Sequence, residues 1–254
     1  MHLETIAATI IAPGAGPTAA AAVSGDSLTT KAGRIGAAIN IIAISAMQQA
    51  SGFAQVTFPS GHDTTRGIRL RGAASNPVAR TPGGYLQNVN PQELISVSVS
   101  GSAVAGDVEN VALTLWYADV PGLNARLINN SELEARIDKY VSVEATITPS
   151  AGGIWASPEA INAESDLLLP VRDYAVIGAT FSAPACTLGI RGPDTANVRI
   201  GIPAASGTPS ETREYFPRLS RLSGLPCIPV INSGNKSNTL LDLLSDENVG
   251  ACQF

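Results

Sequence analysis

Charge is scarce in this sequence. Asp, Glu, Lys and Arg make up 15% of the 254 residues and leave a net charge of −5, whereas roughly 25% charged residues is usual for soluble domains. No run of Lys or Arg occurs, which argues against the electrostatic footprint of a protein that binds nucleic acid or an anionic membrane surface. A charge-poor surface is expected where subunits meet, because interface cores are depleted in Lys, Glu and Asp.

Cysteine and histidine are also rare. Cys186, Cys227 and Cys252 lie far apart without a C-x-x-C motif, and the chain has two histidines. We therefore expect no disulfide framework, no metal site and no cofactor. The apolar stretch 6–23 is broken by two prolines and two glycines and is preceded by Glu4, so it is predicted to be neither a membrane span nor a signal peptide.

The sequence offers little catalytic chemistry. His62 and Asp63 are the one adjacent imidazole and carboxylate pair, and such a pair can act as a general base. No nucleophile elbow such as G-x-S-x-G accompanies the pair, so we favour a loop turn stabilised by the Asp63 carboxylate. The sequence therefore predicts a protein that is not an enzyme.

Alternating hydrophobicity is the main structural signal. In the segment ELISVSVS (93–100), Ile95, Val97 and Val99 share one face, and 111–117 repeats the pattern, as half-buried strands do. The apolar run 35–47 fits a strand or a short helix, and its β-branched residues favour a strand. Further strands are predicted at 53–58, 67–71, 141–147, 174–181, 198–202 and 228–231. Eight or more short strands indicate an all-β, jelly-roll-like sandwich.

Helices are predicted to be few and short. Ser131 with Glu134 three residues later resembles a capping box that begins one helix. A second start signal is Ser157-Pro158, with proline at the first helical position. The segment 212–222 is helix-like, although a proline inside it is expected to kink the helix.

The composition of the chain ends predicts two arms. Residues 1–23 are rich in Ala, Gly and Pro without a sustained period, and 232–254 is rich in Asn, Ser and Gly before the segment LLDLL. We therefore divide the chain into an N-terminal arm (1–23), a β-sandwich domain (24–231) and a C-terminal arm (232–254). At least one arm is expected to contact an adjacent subunit. The candidate interface residues are Leu240, Leu241, Leu243, Leu244, Cys252 and Phe254.

Several segments carry a resemblance to a known group of proteins. In chain order they are HDTTRGIRLRG, LTLWYADVPGLNARLI, EAINAESDLLLPVRDYAVIG, IRGPDTANVRIGIP and RLSRLSGLPCIPVINSGNKSNTLLD, which lie between residues 62 and 242. They resemble a group of structural proteins from tailed bacteriophages. The resemblance implies a jelly-roll-like body and a place in the virion, and it brings no catalytic residues.

These observations together predict a structural virion protein, most simply an auxiliary or decoration subunit of the capsid. We expect it to be made in the host cytoplasm and to form a symmetric homo-oligomer, such as a trimer, with interfaces above roughly 2,000 Å². Its other partners would be virion proteins such as the major capsid protein, with no direct contact to nucleic acid or membrane. The alternatives are a collar or tail protein and a receptor- or carbohydrate-binding module, although aromatic residues at 5% of the chain count against a lectin.

Overall fold

A computed structural model shows a chain dominated by antiparallel strands, which confirms the predicted all-β class. The structure describes residues 1–11, 17–34, 37–47, 52–61, 65–71, 78–80, 87–100, 108–149, 151–161, 170–183, 185–204, 212–245 and 252–253. Within those ranges the α-helices are α1 (Asn130–Arg136) and α2 (Tyr215–Ser223).

The first half of the chain forms two sheets. Sheet A has the strand order β3-β1-β10-β4-β7, with β8 also paired to β4, and sheet B has the order β2-β9-β5-β6. The strands are β1 (His2–Ile11), β2 (Thr18–Ala19), β3 (Ala21–Ala22), β4 (Ile39–Met47), β5 (Phe53–Thr57), β6 (Ile68–Leu70), β7 (Val78–Arg80), β8 (Gln87–Asn88), β9 (Ser96–Ser100) and β10 (Val108–Tyr117).

The second half forms a four-stranded sheet and two smaller ones. Sheet C has the order β13-β18-β15-β16, sheet D has the order β11-β17-β14, and β12 pairs with β19. The strands are β11 (Leu127–Ile128), β12 (Thr146–Ile147), β13 (Glu159–Ala160), β14 (Asp173–Ala175), β15 (Ala185–Arg191), β16 (Ile200–Ala204), β17 (Ile228–Asn232), β18 (Leu240–Leu244) and β19 (Cys252–Gln253).

Sheet A is buried on both faces. One face packs on sheet B, where Leu113 of β10 shares a core cluster with Val56 and Val97. The other face packs on the second half, where Trp116 shares a cluster with Leu188 of β15. Burial on both sides explains why β4, the predicted strand within 35–47, is a nearly continuous apolar run rather than an alternating one.

The strands of the first half pair as a nested series of hairpins. Strand β1 pairs with β10, β2 with β9, β4 with β7, and β5 with β6, all antiparallel. The last of these pairs is the hairpin predicted from 53–58 and 67–71. The first and last strands of the series therefore lie side by side, and the chain doubles back on itself at β5 and β6.

The second half repeats the same nested series. Strand β12 pairs with β19, β13 with β18, β14 with β17, and β15 with β16, again all antiparallel. In both halves the second pair also joins the fourth, since β9 pairs with β5 and β18 pairs with β15. The chain thus contains two successive sets of strands with matching connections, which we call the first unit (β1–β10) and the second unit (β12–β19).

The predicted N-terminal arm is wrong for the residues described. Residues 2–11 form β1, which lies between β3 and β10 inside sheet A. Leu3, Ala7 and Ala8 are fully buried there. Their small and apolar side chains fit a strand packed on both faces, so the alternation that marks a half-buried strand is missing. The expected domain boundary at residue 24 therefore falls inside the first unit.

The predicted C-terminal arm is also wrong over residues 232–245. The LLDLL segment is β18, an inner strand of sheet C, and Leu241, Leu243 and Leu244 are buried while Leu240 is half-buried. These leucines pack in the chain's own core because sheet C, like sheet A, is covered on both faces. Cys252 lies in β19 opposite Ile147 of β12, and Phe254 lies outside the described residues.

Two helix predictions need correction. Helix α1 begins two residues early, because Asn129 is its N-cap and forms the capping box with Glu132. The Ser157-Pro158 signal leads into strand β13 at residues 159–160, which pairs with β18. The predicted helix within 212–222 is present as α2, and Pro217 lies in its first turn, where the missing N–H breaks no helical hydrogen bond.

The double-sided burial of sheet A gives a stability prediction. Leu113→Ala should lower the free energy of unfolding by about 2–5 kcal/mol, because Leu113 is fully buried and its removal leaves a cavity. Leu94→Ala is the control, because Leu94 is 56% exposed and should change the free energy by less than about 0.5 kcal/mol. Urea denaturation of both variants measures the difference, and equal effects would contradict the layered core.

Candidate functional site

The two halves meet where sheet A packs on sheet C, and small residues bring the sheets close together. A Cβ atom on Gly201 of β16 would lie 2.6 Å from Thr187 Oγ1 and 2.7 Å from Thr5 Cγ2. Thr5 of β1 donates its backbone N–H to the Arg199 carbonyl oxygen at 2.7 Å, and Gly201 donates its N–H to Thr5 Oγ1 at 2.7 Å. This junction therefore joins the two halves by direct hydrogen bonds as well as by packing.

A buried arginine lies at the centre of this junction. Arg199, just before β16, donates from Nε and Nη2 to the Asp242 carboxylate at 2.9–3.1 Å, and from Nη1 to Asp26 Oδ1 at 2.8 Å. The side chains of Arg199, Asp26 and Asp242 are 13%, 5% and 1% exposed. Asp242 comes from sheet C and Asp26 from the turn after β3, so Arg199 bridges carboxylates of both halves.

Trp155 completes the cluster. Its ring lies under the Arg199 guanidinium, with 3.8 Å between the guanidinium carbon and the ring centroid. Its indole N–H donates to Asp26 Oδ2 at 3.0 Å, and the Ala7 backbone N–H donates to the same oxygen at 2.9 Å. The cation–π contact and these donors hold the Asp26 carboxylate and the Arg199 guanidinium in one geometry.

The electrostatics of the junction follow from its burial. Loss of hydration raises the pKa of Asp26 and of Asp242, and the positive charge of Arg199 opposes the increase at both. Arg191 lies 3.8 Å from Asp242 and adds a second positive charge at the edge of the cluster. Arginine cannot act as an acid or base near neutral pH, so the arrangement suits the locking of two layers rather than proton transfer.

A second buried polar contact lies at the start of β1. His2 is fully buried and stacks on Tyr117 of β10, with ring centroids 4.6 Å apart. Within the described part of the chain, neither imidazole nitrogen of His2 has a hydrogen-bond partner. Burial, with a smaller effect from the Lys31 charge, lowers the pKa of His2 to about 4, so this side chain is neutral at pH 7.

The sequence-predicted site residues lie partly in the core and partly outside the described residues. His62 and Asp63 lie outside the described residues, and the leucines of β18 belong to the core. The junction residues Asp26, Trp155, Arg199 and Asp242 were missed by the sequence reasoning. A usable signal was present, because Asp242 interrupts the apolar LLDLL and Arg199 precedes the apolar IGIPA, and a charge inside a buried strand requires a partner.

The described residues contain no group of three or more His, Cys, Asp or Glu side chains placed to hold a metal ion. None of their helices has the length and hydrophobicity to cross a membrane. Comparison of the chain with protein-family models and with curated proteins finds no match.

Removal of the Arg199 side chain should lower the free energy of unfolding strongly, by an amount that depends on pH. Arg199→Met should cost about 3–5 kcal/mol of unfolding free energy at pH 7, because two carboxylates lose their buried counter-charge. Folding already raises the pKa of Asp26 and of Asp242 above the ordinary value. Each carboxyl group therefore contributes most to stability at pH values below its ordinary pKa, and this contribution is lost as the pH rises through its pKa in the folded chain. Without Arg199 both pKa values should rise further.

The defect of Arg199→Met should therefore be largest at pH 7 and smaller near pH 4, as urea denaturation at both pH values would show. Arg34→Met is the control, because the Arg34–Asp119 pair is exposed and such pairs contribute about 0–1 kcal/mol. A loss for Arg199→Met no greater than that of the control at pH 7 would contradict the proposed role of the junction.

Burial of neutral His2 should make the fold less stable as the pH falls, which is opposite to the effect of the junction carboxyl groups. Its pKa falls from 6.5 to about 4 on folding, so the fold loses stability as pH drops from 6.5 toward 4, where the unfolded chain binds the proton more readily. His2→Phe keeps a ring against Tyr117 and removes this proton. The variant should lose less thermal stability than the wild type between pH 7 and pH 5, and an equal loss in both proteins would contradict the burial of a neutral His2.

Proposed function

We propose that this chain is a structural subunit of a tailed-bacteriophage virion, built from two jelly-roll units in tandem and working through contacts with other subunits. The observation that carries the proposal is the nested strand pairing, which occurs twice along the chain. The charge-poor composition and the resemblance of residues 62–242 to phage structural proteins support the same conclusion.

The pairing supports a jelly roll for the following reason. A jelly roll divides eight strands between two sheets as two Greek keys. A long nested hairpin produces this arrangement when its successive strand pairs are placed alternately in one sheet and then in the other. In the first unit, β1-β10 and β4-β7 lie in sheet A, while β2-β9 and β5-β6 lie in sheet B. In the second unit, β13-β18 and β15-β16 share sheet C.

Jelly rolls occur in viral capsid proteins and also in lectins, so the aromatic side chains help to choose between the two. A lectin needs an exposed ring on which a sugar can stack. Trp116 is buried and donates its indole N–H to the Pro226 carbonyl oxygen at 3.3 Å, and the Trp155 ring is covered by Arg199. Both tryptophans therefore have structural contacts, and although Tyr140 is 75% exposed, the tryptophans favour the structural subunit over the carbohydrate-binding module.

The proposal predicts self-association and a place in the particle. The purified chain should form a symmetric homo-oligomer in analytical ultracentrifugation, because its charge-poor surface suits subunit interfaces. Antibodies against the chain should label the shell of purified virions in electron microscopy. The proposal would be contradicted if purified particles lack the chain and the wild-type protein stays monomeric at high concentration. Labelling of the tail alone would place the subunit in the tail instead of the shell.

A further inference from the structure

A strand predicted from the sequence is only partly formed in the structure. The sequence predicts a strand over 141–147, whereas strand β12 covers Thr146–Ile147 alone. Just ahead of β12 the side chains already alternate as in a strand, because Ala145 and Ile147 are buried while Glu144 is exposed. The segment that leads into β12 is therefore suited to a strand but lacks a strand partner.

The backbone of this segment is open to a partner. Within the described part of the chain, the N–H and C=O groups of residues 138–144 make no hydrogen bond. The described residues also give β12 a neighbour on one side, β19, whereas the equivalent strand β1 of the first unit lies between β3 and β10. An unpaired strand edge is a template for pairing with another chain.

Exposed apolar side chains accompany the open backbone. Tyr140 is 75% exposed and Val141 is 40% exposed. Asp138 Oδ2 lies 4.0 Å from Arg172 Nη1, which brings the 78% exposed Val171 close to the same segment. Apolar side chains that are exposed together mark interaction surfaces, so the segment offers side-chain contacts as well as hydrogen-bonding groups.

The sequence of the segment suits pairing with its own copy. When two copies run antiparallel about a two-fold axis at Ser142, Val141 of one copy lies opposite Val143 of the other, and such β-branched pairs stabilise a sheet. An axis at Val141 would instead oppose Asp138 and Glu144, which is unfavourable for like charges. An axis at Val143 would lose the valine pair. Both partners of a two-fold contact use the same surface, so no other free face is needed.

We propose that residues 139–145 of two copies pair antiparallel about a two-fold axis at Ser142, on the edge of β12 that faces away from β19. The two β12–β19 sheets then join into one four-stranded sheet with the order β19-β12-β12-β19. Main-chain hydrogen bonds supply the affinity, as in other cases of strand addition. The inference rests on the proposed function, because it names the contact through which the subunit associates.

Charge at the axis tests the contact. Ser142→Asp places two carboxylates opposite each other and Ser142→Lys places two ammonium groups there, so each variant should self-associate roughly tenfold more weakly than the wild type. A mixture of the two variants should regain association, because opposite charges then meet at the axis. Ser24→Asp, in an exposed turn of the first unit, is the matched control and should associate like the wild type. Analytical ultracentrifugation measures association, and circular dichroism checks folding.

A disulfide bond tests the position of the axis. Residues directly opposite each other in an antiparallel pair have Cα atoms about 4.5–5.5 Å apart, which is within the range of a disulfide. Oxidised Ser142→Cys should therefore run as a covalent dimer on a non-reducing gel. Ser24→Cys is the control and should form no more dimer than the wild type, in which Cys186 and Cys227 are buried.

Three outcomes would overturn the inference. They are a folded Ser142→Asp that associates like the wild type, a mixture with Ser142→Lys that regains nothing, and a Ser142→Cys dimer no more abundant than that of Ser24→Cys. If the wild type nevertheless forms an oligomer and is present in particles, the proposed function stands without this contact. A monomeric wild type that is also absent from particles would count against the proposed function itself.

Discussion

The packing of sheet A between two other layers is the constraint on which the rest of the structure depends. Because both faces of this sheet are buried, its long strands β1 and β4 lack the alternation of a surface strand and are mostly apolar or small on both faces. The same burial places the first unit and the second unit in one continuous body. The cores on the two sides of sheet A each include residues of β10, so a change there affects both layers.

Between sheets A and C, hydrophobic burial alone does not fix the arrangement. The contact depends on glycine at positions where a Cβ would collide, and on Arg199 bridging Asp26 and Asp242. Replacement of such a buried ion pair by apolar residues is often neutral or stabilising, whereas removal of one partner is costly. We therefore regard the cluster as a device that sets the relative position of the two units rather than as a source of net stability.

The sequence predicted the elements better than it predicted their arrangement. The alternating strands β9 and β10, the hairpin β5–β6 and the helix α2 were predictable because their periodicity and turn residues are local. The sequence predicts an arm where the structure has strand β1, because alanine packed on both sides of a sheet has no local periodicity. The LLDLL strand was assigned to an arm for a similar reason, since its buried aspartate has its partner 43 positions away in the chain.

The repeated nested pairing could not be predicted from the sequence, because most of its pairs join strands that are far apart in the chain or very short. Strands β1 and β10, for example, are aligned from His2 with Tyr117 to Ile11 with Val108. The low charge of the sequence predicts a protein whose surface is covered by other subunits, and this stays a prediction. The fold therefore depends on strand pairing between distant parts of the chain. The proposed function depends on the sheet faces that this pairing leaves exposed.

Electron cryo-microscopy of the assembled subunit, at a resolution that separates strands, tests the account most directly. We expect each subunit to show the two successive sets of nested strands, with sheet A packed on sheet C at the Arg199 junction, and neighbouring copies to be in contact. A map in which sheet A is not packed on sheet C, or in which the copies make no contact with one another, would contradict this expectation.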